Sequence, residues 1–514
     1  MPEQSPIVLT TGPLSLGEVV AVARLGAEVR ISEESLSAMA QSRRYVEELA
    51  CSGQPVYGIS TGFGALATTF IDPSQRRQLQ CSLIRSHAAG SGPCVETEVV
   101  RALMLLRLST LCTGRTGVRP LTAAAYAAML NAHLTPCVPE YGSLGCSGDL
   151  APLSHCALAV MGEGEVVDAE GVRMPAAQAL AAAGLTPVEY EEKEGLALIN
   201  GTDGMLGMLC LAIWDLSALV KVADITAAMS IEALLGTDAV LAPELQALRP
   251  HPGQAAAARN MKRMMAGSAI AASHRAYDAR VQDAYSLRCA PQVAGAMRDT
   301  LDHAATVAGR ELASAIDNPV VLADGRIESN GNFHGAPVAY VLDFLAIATA
   351  DLASISERRT DRMLDTCRSN GLPPFLAQNP GVDSGHMIAQ YTQAGIVSEL
   401  KRLAVPASVD SIPSSAMQED HVSMGWSAAR KLRRSVDGLA QVLAIELLTA
   451  ARALDLRRPL TAAPGTEAVH AAVRTRVEGV GPDRFVSPEL RAGYELIVGG
   501  DIVEAAQAVV GELE

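Results

Sequence analysis

The sequence predicts a mainly α protein, a bundle of long helices with a loop-rich N-terminal domain. Hydrophobic residues make up 49% of the 514 residues, and aromatic residues only 4%. Alanine and leucine supply much of the apolar fraction, and both lose little side-chain freedom in a helix. Residues 338–354 and 435–454 repeat apolar side chains every three or four positions, which is the period of a helix packed on one face.

Local signals predict two further helices. Residues 205–220 are almost continuously apolar, but Asp215 and Lys221 leave the run too short to cross a bilayer, so it predicts a core helix. Residues 150–160 also have helical spacing, and Pro152 stands in the first turn, where a missing N–H costs nothing. The residues just before this second helix therefore lie at a helix N-terminus.

Short strands are expected to interrupt the helical pattern at two places. Residues 165–167 and 172–174 flank a glycine-containing turn, and so do residues 320–322 and 326–328. Short apolar runs on both sides of such a turn predict β-hairpins. Both hairpins would be small additions to the bundle.

The chain is long enough for several domains. Residues 1–195 hold more glycine-bearing loops than the following part, which opens with a long helical pattern after Asn200. The tail is rich in proline, glycine and alanine around two short helical patches. We therefore predict an N-terminal domain over 1–195, a central helical bundle over 196–458 and a C-terminal helical cap over 459–514.

The net charge and the first residues of the sequence argue against two kinds of partner, nucleic acids and membranes. The formal net charge is −15, and no run of lysine and arginine alternates with aromatic residues, so no nucleic-acid partner is expected. The first residues lack the basic and apolar regions of a secretory signal, and no membrane partner is expected either. We expect a cytoplasmic protein whose 10 scattered cysteines are mostly buried free thiols, without a metal site.

Residues 141–149 read Tyr-Gly-Ser-Leu-Gly-Cys-Ser-Gly-Asp and predict a compact turn. A tight bend would let the amide nitrogen of Gly148 attack the carbonyl carbon of Cys146, and loss of water would close a five-membered ring. Only glycine leaves that nitrogen unhindered. Loss of the Ser147 hydroxyl would then leave a methylene conjugated to the ring carbonyl. The chain can therefore build its own electrophile, and the helix N-terminus behind it favours developing negative charge.

The glycine-rich segments are compatible with more than one role. The motif alone does not exclude a plain helix-capping turn at residues 145–149. A serine-hydrolase elbow needs a second glycine two residues after the serine, where this chain has Asp149. A dinucleotide loop at Gly62-Phe63-Gly64 lacks the third glycine.

The turn lies in a context that resembles the aromatic amino acid ammonia-lyases, which carry a 4-methylideneimidazol-5-one (MIO) group. That family makes the group from Ala-Ser-Gly within G-S-x-G-A-S-G-D-L-A-P-L, and residues 142–153 read Gly-Ser-Leu-Gly-Cys-Ser-Gly-Asp-Leu-Ala-Pro-Leu. The likeness covers about Gln54 to Arg458. It continues in Val-Tyr-Gly-Ile-Ser-Thr-Gly-Phe-Gly at 56–64, Glu-Gly-Leu-Ala-Leu-Ile-Asn-Gly-Thr at 194–202, Gln-Asp-Ala-Tyr-Ser-Leu-Arg-Cys at 282–289, Gly-Asn-Phe-His at 331–334 and Gln-Glu-Asp-His-Val-Ser at 418–423.

The resemblance implies a fold, a prosthetic group and a set of site residues. The fold would be of the fumarase/aspartase-like superfamily, in a homotetramer with active sites shared between subunits. The MIO group would form from Cys146, Ser147 and Gly148, with no external cofactor and no metal. The matched stretches assign catalytic roles to Tyr57, Ser147 and Tyr285, and substrate-binding roles to His87, Asn200, Gln282, Arg288, Phe333 and Glu419.

Within that family the chain is most similar to the histidine ammonia-lyases. Arg85 is followed by a Ser-His pair. At this position the phenylalanine enzymes typically have Phe-Leu and the tyrosine enzymes His-Leu. Glu419 stands where the phenylalanine enzymes carry Gln, and a carboxylate can accept the N–H of an imidazole. The implied reaction eliminates ammonia from L-histidine to give trans-urocanate, with Tyr57 as the base for the β-proton and Arg288 on the substrate carboxylate.

Departures from the family pattern leave the choice open between histidine and another aromatic amino acid. Residues 365–372 lack an expected Lys and His, and His386 stands where a bulky apolar residue is usual. An aminomutase of the same family, which returns ammonia to the β-carbon, also stays open. A fumarase or aspartase activity is not expected, because residues 414–418 do not supply the G-S-S-x-M-P-x-K-x-N loop. A non-enzymatic scaffold would lack the ultraviolet absorption of the conjugated ring.

Overall fold

The computed structural model describes residues 5–51, 56–62, 66, 68–276, 278 and 280–514. Phe63 and Gly64, which belong to the first matched stretch and to the rejected dinucleotide loop, lie outside these residues, as does Gln54 at the start of the likeness. Most of the described residues are helical, and the strands are few and short. The prediction of a mainly α fold is confirmed. The ten cysteines are free thiols, but three of them are buried, Cys112, Cys156 and Cys210, so the prediction that most are buried is wrong.

The helices range from single turns to rods of more than thirty residues. The four longest are Asp203–Ala233, Ala290–Leu312, Ala336–Leu364 and Gly425–Leu456. The others are Leu16–Leu25, Glu33–Cys51, Arg76–His87, Thr97–Cys112, Pro120–Asn131, Leu150–Val160, Ala176–Ala182, Glu194–Ala197, Pro243–Ala247, Pro252–Met265, Ala269–Ala272, Tyr285–Arg288, Met387–Leu403, Pro464–Arg474, Ser487–Val498 and Asp501–Val510. All four predicted helices are present, and the one at Leu150–Val160 has the predicted bounds.

The strands form small sheets at the margins of the helices. They are Ile7–Leu9, Val29–Ile31, Ser91–Cys94, Thr135–Pro136, Pro139–Tyr141, Glu165–Val167, Arg173–Pro175, Val320–Val321 and Ile327–Glu328. Antiparallel pairing joins the sixth strand to the seventh and the eighth to the ninth. Both predicted hairpins are therefore confirmed, with the seventh and ninth strands each beginning one residue later than predicted.

Contacts divide the chain into two compact units, each assembled from three separate segments. Unit 1 comprises Met1–Trp214, Ala305–Asp343 and Pro406–Arg430, and unit 2 comprises Asp215–Ala304, Phe344–Val405 and Lys431–Glu514. The division of the sequence after residues 195 and 458 stays a prediction.

A buried helix organises the core of unit 1. Thr97–Cys112 is buried from Val99 onward, so its few charged side chains must be paired inside the protein. The guanidinium of Arg107 donates to the carbonyl oxygens of Asn200 at 2.7 Å and Ile316 at 2.8 Å. This buried arginine fixes the backbone at Asn200, a predicted site residue.

The core of unit 2 also contains a buried charge pair. Glu446 is fully buried and accepts hydrogen bonds from Arg359 Nε at 2.5 Å and Nη2 at 2.9 Å. The hydroxyls of Ser230 and Ser356 donate to the same carboxylate at 2.7 and 2.6 Å. Because every oxygen of the buried carboxylate is satisfied, the pair holds its helices in one register.

Two helices are long and apolar enough to cross a membrane by length and composition alone. They are Asp203–Ala233 and Ala336–Leu364. Within their most apolar windows 72% and 61% of the residues are buried inside the protein, as expected of core helices.

Candidate active site

The turn at residues 142–149 is held against the start of a second helix. Gly148 has φ +76° and forms a parallel bridge with Gly201, and the Asp149 N–H donates to the Gly201 carbonyl at 2.7 Å. A Cβ at position 148 would lie 1.9 Å from that carbonyl oxygen. The left-handed backbone and the close approach both require glycine at this position.

Asp149 connects the turn to the helix Asp203–Ala233. Its buried carboxylate accepts from the Ser143 hydroxyl at 2.8 Å and from the Met205 N–H at 2.9 Å. Burial raises the pKa of Asp149 to about 7. Two helix N-termini, at Leu150 and Asp203, thus meet at the turn, where their backbone donors and dipoles favour negative charge.

A second segment, residues 414–424, is hydrogen-bonded to the same turn. The Met424 N–H donates to the Leu144 carbonyl at 2.9 Å, and the Ser423 hydroxyl donates to the Gly145 carbonyl at 3.0 Å. These bonds bring the matched stretch that contains Glu419 to the Cys-Ser-Gly turn.

Ser147 faces a pocket of about 690 Å³ in unit 1. Four other predicted site residues line it: Tyr57, His87, Asn200 and Glu419. The remaining wall is largely apolar and includes Leu66, Ile71, Leu79, Leu83, Leu150, Leu196 and Ile199. An apolar pocket with a few convergent polar groups is the usual form of a small-molecule site.

His87 and Glu419 are titratable side chains in the pocket wall. His87 ends the helix Arg76–His87, and its Nδ1 lies 3.0 Å from the Ser86 hydroxyl. Burial lowers the pKa of His87, and the nearby Glu419 carboxylate opposes that shift only in part. The imidazole is therefore mostly neutral at pH 7.

Asn200 lines the pocket and carries a buried acceptor without a partner among the described residues. Its side chain is buried, and Nδ2 donates to the Asn318 carbonyl at 2.9 Å. Its Oδ1 has no hydrogen-bond partner among the described residues. A buried acceptor without a partner is costly, and a ligand that donates a hydrogen bond would relieve the cost.

Four of the predicted catalytic and substrate-binding residues do not line this pocket. Phe333 is half-buried in unit 1, next to His334, whose ring stacks on that of His421 at 5.6 Å between centroids. Gln282, Tyr285 and Arg288 belong to unit 2. The side chain of Tyr285 is 71% exposed, and the Arg288 guanidinium lies 4.6 Å from the centre of its ring.

The two departures from the family pattern also lie in unit 2 and do not line the pocket. His386 is buried, with Nδ1 3.2 Å from the Thr449 hydroxyl, and burial lowers its pKa to about 3. It is a neutral core residue. Cys367 is exposed in the turn that follows the helix Ala336–Leu364, where its N–H donates to Asp365 at 2.8 Å.

Sequence reasoning missed the turn that supports Glu419. Ser415, Ala416 and Met417 have φ of 51°, 52° and 69°, a left-handed backbone without glycine. Ser415 and Ala416 line the pocket. No sequence signal marks such a turn, because its residue types ordinarily avoid this conformation.

Comparison with known proteins places this mainly helical protein among the carbon–nitrogen lyases. A family model for aromatic amino acid lyases matches residues 14–475. The histidine ammonia-lyase of Streptomyces coelicolor is 65% identical over 508 residues, which cover 99% of each chain. The chain belongs to the aromatic amino acid lyase family.

Solved structures of this kind share the whole fold. The tyrosine aminomutase of Streptomyces globisporus superposes with a TM-score of 0.94 at 37% identity, over 99% of this chain and 100% of that one. The histidine ammonia-lyase of Trypanosoma cruzi gives a TM-score of 0.91, also at 37% identity, over 99% of this chain and 96% of that one.

Proposed function

We propose that this protein eliminates ammonia from L-histidine to give trans-urocanate. The observation that carries the proposal is the meeting of Ser147, His87 and Glu419 in one pocket. A neutral imidazole and a carboxylate on the wall suit a substrate ring that can both donate and accept hydrogen bonds. The high identity to histidine ammonia-lyases over the full chain supports the same substrate.

The residues at 146–148 fit the formation of an MIO group. Gly148 has the left-handed backbone and the unhindered nitrogen that ring closure needs, and Ser147 opens into the pocket. The group supplies an electrophilic carbon at position 147, which activates the substrate amine as a leaving group. The protein then needs no external cofactor and no metal for this chemistry.

The pocket residues in unit 1 would bind the substrate and take its proton. Glu419 accepts the ring N–H, and Asn200 Oδ1, which has no partner among the described residues, accepts from the substrate's amino group. Tyr57 removes the proton from the β-carbon. A tyrosine has a reference pKa near 10, so this base needs positive potential, and the sources that we propose are the helix N-termini and Arg288.

Arg288 would bind the substrate carboxylate, as its matched stretch implies. The guanidinium fork matches a carboxylate with two parallel hydrogen bonds. Its Nε is buried and has no hydrogen-bond partner among the described residues. We assign Tyr285 to catalysis, and Gln282 and Phe333 to the substrate contacts, on the same matched stretches.

We propose a homotetramer in which different subunits complete each site. Gln282 and Tyr285 are exposed and do not line the pocket of their own chain. The helix Ala336–Leu364 also exposes large apolar side chains, with Phe344 and Ile347 both 47% exposed, and such a surface is typical of a subunit interface.

Light scattering should give about four times the 53.7 kDa of one chain. Chains with Ser147→Ala, coexpressed with chains carrying Arg288→Ala, should regain activity that neither variant has alone, because some mixed sites contain both native residues. An active monomer, or the absence of any complementation, would contradict shared sites.

Incubation of the purified protein with L-histidine tests the reaction itself. We expect equal amounts of ammonia and urocanate, the latter measured by its ultraviolet absorption. A β-amino acid in place of free ammonia would identify an aminomutase, the activity named for the Streptomyces globisporus relative. Turnover of tyrosine or phenylalanine but not of histidine would assign another substrate. We further expect the enzyme to act in the cytoplasm.

A further inference from the structure

We propose that Ser423 is a positioning residue for the formation of the prosthetic group: its hydroxyl holds the peptide that precedes Cys146 while Gly148 closes the ring. The inference rests on the proposed function, because it concerns the ring that Cys146, Ser147 and Gly148 would form. Ser423 lies in a matched stretch, but it does not line the pocket and no role follows from the resemblance.

Ring formation is a double dehydration that needs no oxidant and no further reactant. The Gly148 nitrogen forms a bond to the Cys146 carbonyl carbon, and its proton passes to the carbonyl oxygen. That oxygen leaves as the first water with the amide hydrogen of Ser147, so a double bond joins the Cys146 carbon to the Ser147 nitrogen. The second water takes the Ser147 hydroxyl and the hydrogen on the α-carbon of the same residue. Only the backbone of Ser147 separates the two reacting atoms, so the rate depends on how the chain holds the residues on either side.

The peptide that follows Gly148 is restrained by the start of a neighbouring helix. The Asp149 N–H donates to the Gly201 carbonyl at 2.7 Å, and Gly148 itself forms a parallel bridge with Gly201. The Asp149 carboxylate also accepts from the Met205 N–H at 2.9 Å. Because the peptide unit between Gly148 and Asp149 is planar, these bonds restrain the α-carbon of Gly148.

Gly145, on the other side of the three ring-forming residues, has both of its backbone groups bonded to serine hydroxyls. Its N–H donates to the Ser143 oxygen at 3.2 Å, and its carbonyl accepts from the Ser423 hydroxyl at 3.0 Å. The peptide unit between Gly145 and Cys146 is planar, so the bond to its carbonyl restrains the α-carbon of Cys146. With both α-carbons restrained, only the torsions between them remain to be fixed, which lowers the entropy cost of ring closure.

The position of the Ser423 hydroxyl is fixed by its surroundings. The side chain is buried, and its oxygen accepts from the Gly425 N–H at 3.3 Å, while its hydrogen is donated to the Gly145 carbonyl. Gly145 has φ +66°, and a Cβ there would lie 2.1 Å from the Ser423 oxygen, so only glycine leaves room for the hydroxyl. The adjacent Met424 N–H donates to the Leu144 carbonyl at 2.9 Å and keeps the segment against the turn.

Ser423→Ala removes the donor to the Gly145 carbonyl and tests the proposal. Protein synthesis is stopped in cells that express the protein, and the intact mass of samples purified at intervals gives the fraction of chains that have lost two waters. We expect this loss to be about three- to thirtyfold slower in Ser423→Ala, the effect of one buried hydrogen bond. The ultraviolet absorption of the conjugated ring should appear with the same delay. Circular dichroism checks that the variant is folded.

Ser435→Ala is the matched control. The Ser435 hydroxyl is also buried and donates to a backbone carbonyl at 3.0 Å, but that carbonyl belongs to Lys431 in the same helix, Gly425–Leu456. Its removal should leave the rate of water loss unchanged. An unchanged rate in Ser423→Ala would overturn the proposal. Equal slowing in both variants would also overturn it, because the effect would then be a general loss of stability.

Ser423→Cys provides a second variant in case Ser423→Ala does not fold. The thiol fills the site and is a weaker donor than the hydroxyl, so water loss should be slower than in the original protein and faster than in Ser423→Ala. A rate equal to that of the original protein would overturn the proposal. If the original protein itself never loses two waters, the result would count against the proposed function, because no ring would form.

Discussion

Ser147→Ala should fold normally and lose at least about a thousandfold in turnover. The hydroxyl is the group that must leave to create the electrophilic carbon, and alanine has nothing to eliminate. The substitution removes one oxygen from a side chain that faces the pocket, so packing should change little. Circular dichroism and the thermal midpoint would check the fold, and release of urocanate would give the rate.

A buried serine close by in sequence provides a control. Ser154 lies on the helix that begins just after the turn, and its hydroxyl donates to the Leu150 carbonyl at 2.7 Å. Ser154→Ala should keep most of the activity, because it removes a hydroxyl that takes no part in ring formation. Full turnover by Ser147→Ala would exclude an electrophile at position 147 and require another means of activating the amine.

Glu419→Gln should lower kcat/KM for histidine by about thirty- to a thousandfold. A charge-assisted contact to the imidazole is worth about 2 to 4 kcal/mol in the transition state, which sets this range. Glutamine keeps the shape of the side chain but replaces one acceptor oxygen by a donor, so a ring N–H directed at it would be left without a partner. Steady-state kinetics on histidine measure the loss.

The neighbouring Asp420→Asn is the control for a change of charge in the same segment. Asp420 is exposed and does not line the pocket, so its substitution should leave kcat/KM within about twofold. If Glu419→Gln processed histidine at the original rate, the carboxylate would have no role in ring recognition, and the substrate would be sought among other aromatic amino acids.

Much of the local structure follows from sequence signals with a direct physical cause. Pro152 in a first turn, preceded by a glycine-rich bend, predicts the helix Leu150–Val160 with the bounds that it has. Short apolar runs around a glycine turn predict both hairpins. In each case the sequence signal and the element that it determines lie within a few residues of each other, and tertiary packing does not change the outcome.

The pocket was predictable only through the family resemblance. Tyr57, His87, Asn200 and Glu419 each have an ordinary structural role when taken singly, and only their matched stretches suggested that they meet near Ser147. The structure brings these five side chains into one pocket, while the roles assigned to them stay predictions.

Other features depend on contacts that no local pattern encodes. Each compact unit combines three segments that are distant in sequence, so cutting the sequence at single positions cannot identify the units. The left-handed turn at Ser415–Met417 occurs without glycine because Ser414 and Glu419 close it by backbone pairing. His386 departs from the family pattern and therefore left the substrate open. In the structure it is a neutral core residue of unit 2, hydrogen-bonded to the Thr449 hydroxyl.

The mass of the purified protein tests the central claim most directly. Ring closure and loss of the Ser147 hydroxyl each release one water, so the intact chain should be lighter than its sequence by two waters. The loss of mass should map to the peptide that contains residues 146–148. Ser147→Ala should not show the second loss of water, because alanine has no hydroxyl to eliminate. A protein that turns over histidine while it keeps its full mass would contradict an electrophile made from Cys146, Ser147 and Gly148.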